Sequence, residues 1–154
     1  MAEILNAHGS KNDIFVAAMT PRDFASGDDL RAFVRRLCDR AGPFGGDGIY
    51  FYDAGLRVPE AWFFNPDGSS AEFCGNGMRC LGRVILDQRG SDAAVIRIIP
   101  ESLPAEVQRR CRRGHGRRLR WFGFHGRRLR SLSLSSRRFN PTRFLDVARY
   151  TITY

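Results

Sequence analysis

No apolar run in these 154 residues approaches the roughly 20 that a membrane-spanning helix needs, so no membrane partner is expected. No basic stretch leading into an apolar one opens the chain, as it would in a secretory leader. The four cysteines (Cys38, Cys74, Cys80 and Cys111) are therefore expected as reduced thiols in the cytoplasm rather than as disulfides. Metal signatures are missing too, because the spacing of Cys74 and Cys80 matches no common zinc pattern and no histidine lies near them. The chain is also too short for two domains of ordinary size, which leaves one folded unit.

Arginine is abundant and unevenly placed. Residues 1–100 carry 11 Lys+Arg against 13 Asp+Glu, a net −2, whereas residues 101–154 carry 14 Arg against 3 acids, a net +11. The folded domain is thus expected over 1–100 and an arginine-rich tail over 101–154. Beyond Pro100 pairs such as Arg109-Arg110, Arg117-Arg118, Arg127-Arg128 and Arg137-Arg138 alternate with Ser, Gly and Leu, and no helical or strand period is visible. Such composition cannot easily bury a core, and the tail is expected to be disordered to about Phe139, or to derive from a shifted reading frame. Arginines near Trp121, Phe122 and Phe124 have the chemistry to contact phosphates and stack on bases, but no nucleic-acid module is recognisable. A solvated charge run is the favoured reading, and nucleic acid is not an expected partner.

Within the first hundred residues the patterns are regular. Asp13–Met19 is apolar with Ile and Val and predicts a buried strand, entered from a loop over His8–Asn12. Leu30, Phe33, Val34, Leu37 and Cys38 recur at helical spacing behind Ser26 and Asp29, which have capping-box spacing. Ile49–Tyr52 and Ala61–Phe64 predict a strand pair, the second running into the turn Asn65-Pro66-Asp67-Gly68-Ser69. After Cys74, a helix apolar on most faces (Met78, Cys80, Leu81, Val84, Ile85, Leu86) predicts the centre of a wrapped sheet. Ala94–Ile99 predicts a last strand.

The chemistry concentrates at Cys74. A thiol at the start of a helix, directly before Gly75-Asn76-Gly77, meets free backbone N–H groups and the positive end of the helix dipole, both of which stabilise an anion. The same amides, with glycines allowing close approach, suit a substrate carboxylate. The bland alternative is that Cys74 is a small buried hydrophobe, as most free cysteines are. Cys80 and Cys38 lie on apolar helix faces and read as core. Asn65 needs no role beyond turn formation, and Asn12 none beyond a loop.

Four segments together resemble one family. His8-Gly9-Ser10-Lys11-Asn12-Asp13, Gly46-Asp47-Gly48, Phe64-Asn65-Pro66-Asp67-Gly68-Ser69 and Glu72-Phe73-Cys74-Gly75-Asn76-Gly77-Met78-Arg79-Cys80 occur in the order and approximate spacing of diaminopimelate epimerases, over about residues 3–99. The resemblance implies an α/β fold of two pseudo-symmetric halves, each a mixed, mostly antiparallel sheet around a central helix, with the substrate between them. It implies that Cys74 is one of two catalytic cysteines, that Gly75 and Asn76 grip the substrate carboxylate, and that Asn12 and Asn65 bind substrate. The implied reaction interconverts LL- and meso-diaminopimelate for lysine and cell-wall precursor synthesis, with neither pyridoxal phosphate nor metal, so no cofactor is expected.

The sequence also departs from that pattern. The family's second cysteine lies in a Cys-Gly-Ser-Gly type segment, and nothing like it follows Ile99. Cys111 lacks the glycine after it. Lys11 stands where the family often has glycine, and Ile14 precedes the expected phenylalanine. The expectation is therefore a truncated epimerase, which a homodimer pairing two copies of Cys74 across a two-fold axis would complete. The alternatives are a racemase of another amino acid in the same superfamily and a catalytically dead relic with a basic tail.

Overall fold

All five residues of the aromatic run Gly48–Tyr52 are buried, because the strand they form lies in a sheet with a helix on each face. The computed structural model describes the backbone of residues 2–9, 11–99, 103–112, 115–123 and 148–152, and the side chains of 3–8, 11–99 and 104–108. In chain order the elements are β1 (Ala2–Gly9), β2 (Asn12–Ala17), α1 (Gly27–Cys38), β3 (Gly48–Tyr52), β4 (Glu60–Phe64), β5 (Ser70–Ala71), α2 (Gly75–Arg89), β6 (Ala93–Ile99), β7 (Leu103–Arg112), β8 (His115–Gly123) and β9 (Ala148–Ile152). The sheet order is β8-β7-β6-β4-β3-β2-β1-β9, with β5 on β4. The pairs β2/β3 and β4/β6 are parallel and the others antiparallel, giving the mixed, mostly antiparallel α/β architecture expected. Parallel neighbours need a crossover, and α1 and α2 supply the two.

Strand alternation divides the core in two. Ile14, Val16, Tyr50, Tyr52 and Phe63 meet Met78, Leu81, Ile85 and Leu86 of α2. Phe15, Ala17, Ile49, Phe51 and Phe64 meet Leu30, Phe33, Val34 and Leu37 of α1. Helix α2 touches β1, β2 and β3 as well as β6, β7 and β8, so the sheet wraps around it. The start of α1 follows its sequence, with Ser26 Oγ accepting from the Asp29 N–H at 3.1 Å. Among the described residues no helix is long and apolar enough to cross a membrane.

Two expectations differ from the structure. His8–Asn12, read as a loop, is mostly strand: β1 runs to Gly9 and β2 begins at Asn12. Pairing with β2, from Ile4↔Ala17 to Gly9↔Asn12, holds β1 in a strand although Asn6 interrupts its apolar pattern. The turn between them puts Lys11 at φ 75°, a left-handed conformation that suits glycine better than lysine. Strands also continue past Pro100. β7 pairs with β6 from Ala93↔Gln108 to Ile98↔Leu103, and Ala105 and Val107 are 1% and 2% exposed. A two-residue period of small apolar positions is there, masked by the charges around it, and the reading of 101–154 as lacking strands is corrected for 103–112, 115–123 and 148–152. The disorder expected of the arginine pairs at 127–128 and 137–138 lies outside the described residues.

The docking of β7 is testable at Gly82. A Cβ on that residue would sit 2.8 Å from Val107 Cγ1 and 3.1 Å from its Cβ, so α2 approaches β7 this closely only through a glycine. Gly82→Ala is expected to destabilise the fold by about 1 kcal/mol, overpacking outweighing the gain in helix propensity. In a Val107→Ala background, which removes the 2.8 Å contact and leaves the 3.1 Å one, the same change should cost less. Equal effects in the two backgrounds, measured by urea titration, would mean that β7 does not pack there.

Candidate active site

The N-terminus of α2 meets the sheet at β2 and β3, through Asn12 and Tyr50. Cys74 is the N-cap of α2 with extended backbone (φ −123°, ψ 107°), and its Sγ accepts from the Gly77 N–H at 3.4 Å. Its carbonyl accepts the first helical hydrogen bond, from the Met78 N–H at 2.8 Å. The amides of Gly75 and Asn76 precede that bond, and such first-turn N–H groups have no partner within their own helix. Gly75 is exposed, Asn76 and Cys74 are half-buried, and Gly77 is buried.

The other two cysteines are core residues, as their helix faces predict. Cys38 and Cys80 are each 2% exposed, and Cys80 Sγ donates to the Ala7 carbonyl at 3.8 Å. Burial first, and the nearby Asp47 second, push the Cys38 thiol up to about 11. Burial pushes Cys80 up to about 12. The Cys111 side chain lies outside the described residues. Iodoacetamide at neutral pH is therefore expected to modify Cys74 at least about a hundredfold faster than Cys38 or Cys80, since only thiolates react and only Cys74 of the three is accessible. Peptide mass spectrometry after a short pulse would read the order, and earlier labelling of Cys38 or Cys80 would contradict it.

Asn76 and Asn12 come together: Asn76 Nδ2 donates to Asn12 Oδ1 at 2.9 Å. Arg79 Nη2 donates to Asn76 Oδ1 from the other side. An arginine can only donate, so it sets which end of the Asn76 amide is oxygen; that in turn makes the engaged atom of Asn12 its oxygen and leaves the Asn12 Nδ2 end for other acceptors. Asn65 follows directly on Phe64, the last residue of β4, which pairs with Ile49 near the start of β3. Its side chain donates to Ser69 Oγ at 3.1 Å and its N–H to the Ser69 carbonyl at 2.9 Å, the contacts of a turn residue.

An ionic brace holds this end of the sheet. The Asp13 N–H donates to Asp47 Oδ2 at 2.9 Å, the Asp47 N–H to the Asp13 carbonyl at 2.7 Å, and Arg40 Nη2 to Asp47 Oδ1 at 2.6 Å. Burial pushes the Asp47 carboxyl up, but the Asp13 amide and the Arg40 guanidinium outweigh it and hold it below the usual carboxylate range. His8 pairs with Asp13 across β1 and β2. The Gly46-Asp47-Gly48 segment thus ties the loop before β3 to the strand that carries Asn12. Sequence reading overlooked two residues, Arg79 and Tyr50. The Tyr50 hydroxyl contacts the main chain of Cys74, and the signal available was that a buried tyrosine needs a partner for its hydroxyl.

Comparison with known proteins follows the same outline. The sequence model of the family described as "Diaminopimelate epimerase" matches residues 4–112. A diaminopimelate epimerase of Methanopyrus kandleri is 35% identical over 101 residues, covering 66% of this chain and 36% of that protein. One of Clostridium acetobutylicum is 33% identical over 112 residues, covering 68% and 32%. The chain therefore spans about a third of the length of these curated relatives. Among solved structures, a phenazine biosynthesis protein of the PhzF family from Enterococcus faecalis superposes with a TM-score of 0.54 at 10% identity, over 79% of this chain and 42% of that one. A hydroxyproline epimerase from Agrobacterium vitis, with bound trans-4-OH-L-proline, gives 0.52 at 15% identity over 79% and 41%. At such identities these two show the fold alone.

Proposed function

This chain belongs to the diaminopimelate epimerase family, and on that premise we propose that it carries one half of a cofactor-independent epimerase site in which Cys74 exchanges the α-proton of diaminopimelate. The observation that carries the reading is the accessible thiol at the N-cap of α2, against the Gly77 amide and two residues from the Asn76–Asn12 pair. The Gly75 and Asn76 amides receive the substrate carboxylate, where the helix dipole and unpaired N–H groups favour negative charge. Asn12, held by Asn76, and Asn65 at the neighbouring strand end supply polar contacts to the rest of the substrate.

Inversion of the α-carbon requires that a proton leave one face and another arrive on the opposite face. Cys74 as thiolate takes the α-proton and becomes a thiol; the electron pair left on carbon delocalises into the carboxylate, whose growing charge the first-turn amides stabilise. A second acid, facing Cys74 across the α-carbon, completes the inversion, and the same two groups in exchanged roles run the reverse reaction. The reaction places the chain in lysine biosynthesis in the cytoplasm, with an amino acid as its small-molecule partner. The folded unit that carries this half-site is taken to include β7.

The test is incubation with LL-diaminopimelate in deuterated water. Deuterium should enter at the α-carbon and should not do so with Cys74→Ala. Labelling of a different amino acid with no labelling of diaminopimelate would replace the substrate and make the chain a racemase of another kind. No Cys74-dependent labelling of any amino acid would make it a catalytically dead relative.

A further inference from the structure

We propose that Tyr50 is a positioning residue for Cys74: its buried phenol clamps the main chain of the N-cap and so holds the thiol against the first turn of α2. The Cys74 N–H donates to Tyr50 Oη at 3.1 Å, and the Tyr50 O–H donates to the Cys74 carbonyl at 3.2 Å. One hydroxyl from β3 thus engages both polar groups of a single residue on the helix. Its oxygen is itself held in place, because the ring is fully buried. Phe63 packs against it, with ring centroids 4.8 Å apart. Gly77 also adjoins it, and an added Cβ there would come within 2.8 Å of Tyr50 Cε2. Glycine at 77 is what lets the ring reach the first turn.

The consequence for the thiol follows from local geometry. Sγ reaches the Gly77 N–H from an extended N-cap backbone, and rotation of φ or ψ at Cys74 would carry the sulfur away from that donor. The clamp resists that rotation. Burial pushes the ionisation of the Tyr50 phenol well up, so the hydroxyl stays both donor and acceptor over the pH range in which the thiol reacts. The role in catalysis rests on the reading of Cys74 given above; the effect on the thiol itself does not.

Tyr52 provides the control. It lies two residues further along β3 on the same face, also buried, and its hydroxyl donates to Gln88 Oε1 at 2.7 Å, at the other end of α2. Loosening of the helix in general should follow from Tyr52→Phe as much as from Tyr50→Phe. The experiment measures the rate of Cys74 alkylation by iodoacetamide on the whole chain between about pH 6 and 10, with thermal melts of each variant. Tyr50→Phe is expected to slow Cys74 about tenfold at pH 7, the equivalent of roughly one net hydrogen bond, with the plateau rate at high pH unchanged. Tyr52→Phe should stay within about twofold of the parent chain while lowering the melting temperature by a similar amount. Gly77→Ala, whose Cβ would press on the ring and also stand 3.4 Å from Cys74 Sγ, should slow Cys74 as well, through both contacts. An unchanged rate in Tyr50→Phe, or equal slowing in Tyr50→Phe and Tyr52→Phe, would overturn the proposal. Alkylation needs no substrate, so absence of diaminopimelate labelling in the parent chain counts against the proposed function and not against the clamp.

Discussion

Presented with LL-diaminopimelate in deuterated water, the 154-residue chain on its own is expected to place label on the α-carbon largely with retention, and to form the meso isomer far more slowly than full-length relatives do. A base on one face removes and returns a proton on that face, whereas inversion needs an acid on the other. Cys38 and Cys80 are buried among apolar side chains and cannot serve. Loss of a positioned general acid costs about 10²- to 10⁴-fold. Where no second lobe closes over the substrate, the stabilisation of developing negative charge weakens further, by about another 10²-fold if one fixed donor is lost. Chiral chromatography of the product together with NMR of the label separates exchange from inversion. Rapid, Cys74-dependent formation of the meso isomer at a rate proportional to protein concentration would defeat this expectation. A rate rising with the square of concentration would instead point to the homodimer in which two copies of Cys74 face one another across a two-fold axis.

Alkali is expected to unfold the protein well before its surface groups are exhausted. Cys38 and Cys80 have thiols raised from 9.0 to about 11 and about 12, chiefly by burial, and burial likewise raises the phenols of Tyr50 and Tyr52. A group whose folded value lies above its unfolded one stabilises fully below the unfolded value. Above about pH 9 the unfolded chain releases protons that the folded chain must keep, so stability falls by roughly 1.4 kcal/mol per pH unit for each thiol until its folded value is reached. The two cysteines together account for a loss on the order of 7 kcal/mol by pH 12, within the 5–15 kcal/mol of a whole domain. Thermal melts between about pH 8 and 11 should show the decline, and Cys38→Ala with Cys80→Ala should flatten it despite a lower starting stability. A melting temperature independent of pH over that window would show that neither thiol is held protonated by the fold.

Much of this was legible along the chain. The strands of β3, β4 and β6, the capped amphipathic α1, the all-round apolar α2 and the placement of Cys74 at its N-cap follow from local periodicity and capping chemistry, which act over three or four residues. The order of four motifs carried the family. Local pattern failed where a strand is stabilised by its neighbour rather than by its own composition. β1, interrupted by Asn6, and β7, whose Ala105 and Val107 sit among polar residues, become strands because they pair with β2 and β6 and close over α2.

The sequence by itself determined that a thiol would stand at a helix N-terminus before a glycine-rich turn, because helix starts are written in neighbouring residues. Only the tertiary structure decided what surrounds that thiol. Asn12 meets Asn76 across 64 positions of chain, Asp13 and Asp47 brace each other across 34, and Tyr50 clamps Cys74 across 24. Such contacts depend on which strands lie side by side and on the face each side chain takes, and a period along the chain gives a residue's face but not its partner.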